Sequence, residues 1–453
     1  MRKARWTLLA VVAGGALIAA PVANASSNAV PIATEQQLCS DIFGGVFDPP
    51  SSEPLAQCQW DMALIHADED TWSRATGDGV VVGVIDSGVD TDHPDIAPNL
   101  DLALSCSFVR SDDPTIVAGL TDPAEAGNGD CSNKAAVEDF GGHGTHVAST
   151  IAAPVNGIGI AGVAPDATIV ALKACTASTY CYGYAVADAL RYAGDHGIDV
   201  VNMSLFADPY LFYCGNEAGQ REMLRELQGA ARYAQQHGVL LVASAGNETI
   251  DARHPTVDDI SPDGPEDTPE IGREVGNNCR IAPAELAGVV SVMATGPVGY
   301  PDYTMNIAGY SSVGGDIAAP GGDYFSASGT VQDAVLAAMP DTSSIYQGLD
   351  PLNQFFPGLT TADGAATYAW INGTSMAAPH VTGVAALIIE QHPNWSPSAV
   401  AAALKRSAMP MSCPPDWQPL DEDDERTKCF GASNGHTSFF GAGLVDAAAA
   451  AHL

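Results

Sequence analysis

Apolar residues fall into two kinds of run along this chain. Val80–Ile85, Thr168–Lys173, Val200–Leu205, Val239–Ala243 and Val289–Ala294 are short, nearly unbroken and rich in Val, Ile, Leu and Ala. A strand covered on both faces reads this way, whereas a strand wet on one face alternates apolar with polar residues. Between these runs lie longer stretches that read as helices: His143–Ala152, Tyr184–His196 and Glu217–His237. Gly197 and Gly238 stand just past the last two, where a helix commonly stops. The alternation predicts an α/β fold: three layers, with a mostly parallel sheet flanked by helices on both faces. No internal repeat is visible. Four polar stretches, 107–140, 249–280, 321–369 and 414–438, are expected to be surface loop insertions on that framework. The acidic run Asp421–Glu425 within the last of them reads as a solvated face.

The N-terminus changes the picture. Arg2, Lys3 and Arg5 precede an apolar run, Leu8–Ala20, and then Ala23-Asn24-Ala25. That is the pattern of an export signal with a small-residue cleavage site, and the run is short for a membrane span. The expected division is a signal peptide over 1–25, an N-terminal extension over 26–75 and one large domain over 76–453. No second apolar stretch of spanning length follows, so a soluble, secreted, extracellular protein is expected.

Export fits the cysteines. Ten cysteines in an exported chain suggest five disulfides. Sequence leaves the pairing open; joining neighbours would give Cys39–Cys58, Cys106–Cys131, Cys175–Cys181, Cys214–Cys279 and Cys413–Cys429. With neither CxxC nor HExxH, no zinc site is indicated. The formal net charge is −36, and losing the leader's three cations takes it to −39. That argues against nucleic acid and anionic membranes as partners. It suits solubility, bound cations or cationic substrates.

Candidate chemistry sits at the edges of the regular elements. Val80–Ile85 runs into Asp86-Ser87-Gly88, and the carboxyl end of a parallel strand is where open α/β sheets place their sites. Gly142-His143-Gly144-Thr145-His146 puts a histidine between glycines at a helix start. Asn372-Gly373-Thr374-Ser375-Met376-Ala377-Ala378-Pro379-His380 leads into the apolar Val381–Ile389, a tight loop feeding a buried helix. A serine there lies near unpaired N–H groups and the positive end of the helix dipole, a place that favours an oxyanion. Each feature alone has an ordinary reading as a turn residue or helix cap; the three together, in the order Asp, His, Ser, do not.

With Ala245-Gly246-Asn247 added, these motifs resemble the subtilisin-like serine proteases, the subtilases, from about Val80 to Ala448. The resemblance implies Ser375 as nucleophile, His143 as general base and acid, Asp86 as the residue orienting the imidazole, and Asn247 as oxyanion donor beside the Ser375 N–H. His146 is expected to pack or hydrogen-bond rather than catalyse. It also implies that Ser204, Leu205, Phe206 and Ala207 pair with extended substrate, with Phe206 and Ala207 standing where the pattern usually has glycines. Cys175–Cys181 would stiffen the opposite wall. Glu248 matches the rim of the first specificity pocket; it reads either as selecting Lys or Arg before the cut or as a solvated loop carboxylate.

No cofactor is required for such chemistry, but the resemblance implies structural calcium. Asp95 and Asn156 match family ligands, with carbonyls of Pro154, Ile158 and Ile160 completing an oxygen cage. Its N-terminal ligand is not identifiable, Gln59 and Asp61 being weak candidates. The segment 26–85 is short for the separate propeptide domain that many exported subtilases carry. The expected function is a secreted, monomeric serine endopeptidase acting on protein or peptide substrates. A maturation protease with one substrate, or a binding scaffold on an inactive protease framework, are the alternatives.

Overall fold

A computed structural model describes residues 30–265, 267–298, 304–324, 330–343, 359–360, 366–415, 417–419, 424, 426, 428–431 and 435–453. The export-signal reading of 1–25 lies outside these residues, as do Asp421–Asp423 and Glu425 of the acidic run.

The apolar runs are strands of one sheet. The principal elements are helix α1 (Ile32–Phe43), strands β1 (Val81–Asp86) and β2 (Cys106–Ser107), helix α2 (His143–Ala152), β3 (Thr168–Lys173), α3 (Gly183–Asp195), β4 (Val200–Met203), α4 (Ala218–Gln236), β5 (Leu240–Ser244), β6 (Val289–Val298), β7 (Thr304–Ile307), β8 (Ile317–Pro320), β9 (Val335–Ala338), β10 (Thr367–Ile371), α5 (Thr374–Gln391) and α6 (Pro397–Ser407). Eight of these strands form the main sheet in the order β7-β6-β5-β4-β1-β3-β2, with β8 alongside β6. Every pairing in it is parallel except β6 with β7. The expected boundaries hold to within one or two residues, save that β6 continues to Val298.

Period-two geometry sends alternate side chains of each strand to opposite cores. Val82 and Val84 of β1, Ile169 and Ala171 of β3, and Leu240 and Val242 of β5 face a core shared with α2 and α5. Ile85, Val170, Leu172, Leu241 and Ala243 face the other, shared with α3 and α4. That is why these strands are apolar throughout. Fully burying a Val, Leu or Ile contributes about 1.5–3 kcal/mol, so two such faces hold the sheet's edge rigid enough to carry a site.

All four polar stretches are more than surface loops; in 249–280, buried Asp258 pairs with Arg273 at 2.6 Å. Val335–Ala338 within 321–369 is buried and pairs antiparallel with β10 in a second sheet, covering α2. Residues 325–329, 344–358 and 361–365 of that stretch lie outside the described residues. In 414–438, Arg426 is fully buried; it pairs with Asp424 at 2.9 Å and donates to the carbonyls of Ala308, Gly309 and Ser311. Asp424 is therefore an internal anchor rather than part of a solvated run. In 107–140, Glu125 is buried against Lys173 at 2.7 Å. These positions look polar in sequence because ion pairs and backbone acceptors, rather than apolar packing, tie them to the core.

The five disulfides join neighbours as set out above. Cys39–Cys58 fastens α1, and Cys39 and Phe43 enter the same core as α2 and α5. Trp60 Nε1 donates to Ala334 O at 3.1 Å. Residues 30–75 are thus packed against the α/β body. No helix of the described residues is long and apolar enough to cross a membrane.

Candidate active site

Asp86 ends β1, and its Oδ1 meets His143 Nδ1 at 2.7 Å. The contact depends on how α2 begins. Gly144 lies so close to Gly88 that a Cβ would stand 2.1 Å from the Gly88 carbonyl oxygen, so only glycine allows it. Asp139 holds this turn from inside. Its carboxylate accepts from the N–H groups of Gly141, Gly142 and Thr145 at 2.8–3.0 Å and from the hydroxyls of Ser87 and Thr145. Ser87 Oγ in turn accepts from Gly144 N at 2.9 Å. Burial pulls the His143 imidazole toward neutrality, but the charge and hydrogen bond of Asp86, with the charge of Asp139, outweigh it and leave its pKa raised. His146 is buried with Nε2 on Val335 O at 3.1 Å, and burial pushes its pKa down to about 3. It is a neutral packing residue, as expected.

Ser375 stands in the first turn of α5, where N–H groups have no partner within the helix. Pro379, inside the same helix, has no N–H to give the carbonyl four residues earlier, which is that of Ser375. Ser204 Oγ takes its place, donating to Ser375 O at 2.7 Å. Ser204 is fixed by Asn202, and Asn202 by the Thr382 hydroxyl at 2.9 Å. A buried polar chain thus runs from α5 through β4 to the nucleophile. The Ser375 hydroxyl rests on Ser204 O at 3.3 Å.

Asn247 follows β5 and accepts with Oδ1 from Thr374 N at 2.9 Å and Thr374 Oγ1 at 2.8 Å. With its oxygen occupied, its amide nitrogen is left to donate beside Ser375. Asp86, His143, Asn247, Thr374 and Ser375 line one cleft of about 220 Å³, together with Ser204, Leu205, Phe206, Glu248 and both cysteines of Cys175–Cys181. Every residue expected in catalysis comes together there; of those expected at substrate, Ala207 does not, being buried with its N–H on Ala282 O at 2.8 Å. A second hollow, lined among others by Arg253, Asp316, Lys405, His436 and Ser438, has its aspartate paired with Lys405 at 2.5 Å.

The sequence reading missed Asp139 and the Asn202–Ser204–Thr382 chain. Asp139, four residues before His143, is the one of these with a local signal: an Asx residue capping the next turn. It also missed Asp208, which lines the same cleft.

The residues expected at calcium form a cluster of their own. Asp95 is buried; it accepts from Asn156 Nδ2 at 3.0 Å, Ile160 N at 3.2 Å and the Tyr368 hydroxyl at 2.7 Å. Gly159 leaves room for Tyr368, whose hydroxyl would lie 2.0 Å from an added Cβ. Gln59 is fully used by the backbone of Ala161, and Asp61 pairs with buried His380 at 2.9 Å. Glu53 reaches the cluster: Oε1 accepts from Gly157 N at 2.9 Å, while Oε2 is buried without a partner. Burial pushes the Asp95 carboxyl up to about 7, and the nearby charge of Glu53 adds to the rise. Two buried carboxylates, one oxygen orphaned, among amide and hydroxyl oxygens are a donor set that fits a hard cation.

The sequence matches the family model described as Subtilase family over residues 77–443. Fervidolysin of Fervidobacterium pennivorans is 30% identical over 364 residues, 79% of this chain; the chain spans 41% of fervidolysin's length. Subtilisin DY of Bacillus licheniformis is 30% identical over 345 residues, 76% of this chain and 89% of that protein. The fold is shared with the epidermin leader peptide processing serine protease of Staphylococcus aureus, at a TM-score of 0.63 and 23% identity over 90% of this chain and 83% of that one.

Proposed function

The chain belongs to the subtilase family, and from that premise we propose that it is a secreted serine endopeptidase working through Asp86, His143 and Ser375. The observation that carries the reading is the 2.7 Å contact of His143 Nδ1 with Asp86, in the cleft that also holds Ser375 and Asn247. With Nδ1 donating to Asp86, Nε2 is the acceptor. A turn of the Ser375 hydroxyl away from Ser204 O brings its proton to Nε2 as the oxygen attacks a peptide carbonyl. Asp86 offsets the charge the imidazole gains. The carbonyl oxygen, now anionic, takes hydrogen bonds from Asn247 Nδ2 and Ser375 N. His143 then protonates the leaving amine, and water, deprotonated by the same imidazole, releases the acyl group.

Export through residues 1–25 and action outside the cell as a monomer belong to this reading, supported by the leader pattern and by five closed disulfides. Structural calcium belongs to it too, with Asp95, Asn156 and Glu53 as the side chains that would hold the ion and carbonyls of Pro154, Ile158 and Ile160 around it; the ion would offset buried negative charge. A maturation role is favoured by one observation, the Cys175–Cys181 disulfide in the wall of the cleft.

A fluorophosphonate reagent should label the purified protein at Ser375, and casein should be hydrolysed. Ser375→Ala should lose the label and lower kcat by ~10⁶, the order known for this same family. Absence of labelling in folded protein would favour the scaffold alternative.

A further inference from the structure

The cleft beside Ser375 is walled by carboxyl groups that the triad does not use. Glu248 directly follows the oxyanion donor Asn247 and lines the cleft, and its Oε2 is buried without a hydrogen-bond partner. Asp208, four residues beyond Ser204 and 4% exposed, lines the same cleft. Its Oδ2 accepts from Cys181 N, and its carboxyl hydrogen-bonds that of Asp263. Asp263 Oδ1 is buried without a partner as well. The stretch 249–280 therefore delivers a third carboxyl behind the wall, where Asp263 N also bonds Pro209 O at 3.1 Å.

No cation neutralises this wall. Arg273 is near in the fold but committed elsewhere: it pairs with buried Asp258 at 2.6 Å and donates to Phe212 O and Gln220. Among the described residues no Lys, Arg or His forms an ion pair with Glu248, Asp208 or Asp263. Two other buried carboxylates are matched by cations, Glu125 by Lys173 and Asp424 by Arg426. Asp208 and Asp263 hold one another through a hydrogen bond that needs a proton on one of them, which leaves Glu248 and this acidic pair beside the cleft with no cation, a cost in free energy that a cationic ligand would offset.

We propose that this wall selects a basic residue, arginine foremost, immediately before the scissile bond. A guanidinium presents five donors in a planar fork, enough for Glu248 Oε2 and for Asp208 from a single side chain, while lysine's ammonium is a point charge with three. Leu205, Phe206 and Ile281, which line the same cleft, suit the aliphatic stem of arginine. Burial pushes the Glu248 carboxyl up to about 7, and a bound cation would stabilise its ionised form. The proposal rests on the peptidase reading above and narrows it to a substrate class.

The test compares three fluorogenic peptides that differ only before the cut: arginine, its neutral isostere citrulline, and leucine. For the wild type, kcat/KM with arginine should exceed that with citrulline by roughly 100-fold, the order expected for a charged hydrogen bond in a desolvated site. The ratio should fall about tenfold in Glu248→Gln and in Asp208→Asn. If either variant fails to fold, the wild-type ratio decides alone. Product peptides ending in arginine should also bind Ser375→Ala more tightly than those ending in citrulline, by calorimetry. Equal cleavage after arginine, citrulline and leucine, with Ser375 still labelled by fluorophosphonate, would overturn the proposal and leave the peptidase standing. No cleavage and no label would overturn both.

Discussion

The turn before His143 and the pocket side of Ser375 treat carboxylates in opposite ways. In the turn, Asp139 accepts five hydrogen bonds. On the pocket side, Glu248 and Asp263 keep a buried oxygen without a partner. Asp86 stands between them: its Oδ1 meets His143 and accepts from Ser87 N at 2.7 Å, while its buried Oδ2 has no partner. All are buried and acidic, so composition cannot separate them; the partner count does. A carboxylate ringed by donors is fixed in place and positions something else, whereas one left short beside a cleft has capacity for a ligand. Glu53 beside Asp95 belongs with the second kind, with a cation rather than a substrate as the fitting occupant.

The sharpest test on the histidine side is Asp86→Asn. Removing the charge leaves the ring in place but stabilises the wrong tautomer, and kcat should fall ~10⁴-fold, as in a serine protease of another fold. The pH profile should move with it. Because Asp86 raises the His143 pKa, and the imidazole must be neutral to act as base, wild-type kcat/KM should rise with pH through an ionisation above the ordinary value of about 6.5. In Asp86→Asn that ionisation should shift downward. An unchanged profile would mean that Asp86 does not govern the imidazole.

Asn247→Ala comes next. Thr374 only orients this side chain, so its loss should cost the oxyanion one donor and lower kcat ~10²–10³-fold with little change in KM, a magnitude known from this family. A fall confined to KM would recast Asn247 as a binding residue.

The smallest effect is expected at the cation cluster. A chelator should lower Tm by roughly 5 °C in the wild type, in keeping with ~2–3 kcal/mol for an ion bound well above its Kd. In Glu53→Gln the chelator-induced drop should shrink. A Tm indifferent to chelation in both would make Glu53 and Asp95 a cation-free pair and weaken the contrast.

How much was legible follows from the range of the interactions. Strands β1, β3, β4, β5 and β6 declare themselves because burial on two faces leaves an unbroken apolar run, and a run is a local feature. Asp86, His143, Asn247 and Ser375 are legible because each needs a small-residue neighbourhood that sequence preserves: Gly144 against Gly88, or Gly373 before the first turn of α5. The 321–369 stretch misled because Val335–Ala338 finds its cover only through pairing with β10 and packing on α2. Asp208 and Asp263, 55 residues apart in the chain, carry no pattern that predicts their meeting.

The amino-acid order by itself determined the layer architecture and the candidate residues that meet in one cleft, since periodicity and local backbone freedom are written residue by residue. Only the tertiary structure decided which acids are satisfied and which are not: that Asp61 goes to His380 and Glu53 to the Asp95 loop, that Arg273 serves Asp258, and that Glu248 and Asp208 are left facing the cleft. Charge neutralisation is a property of neighbours in space, and neighbours in space are chosen by the packing of distant segments.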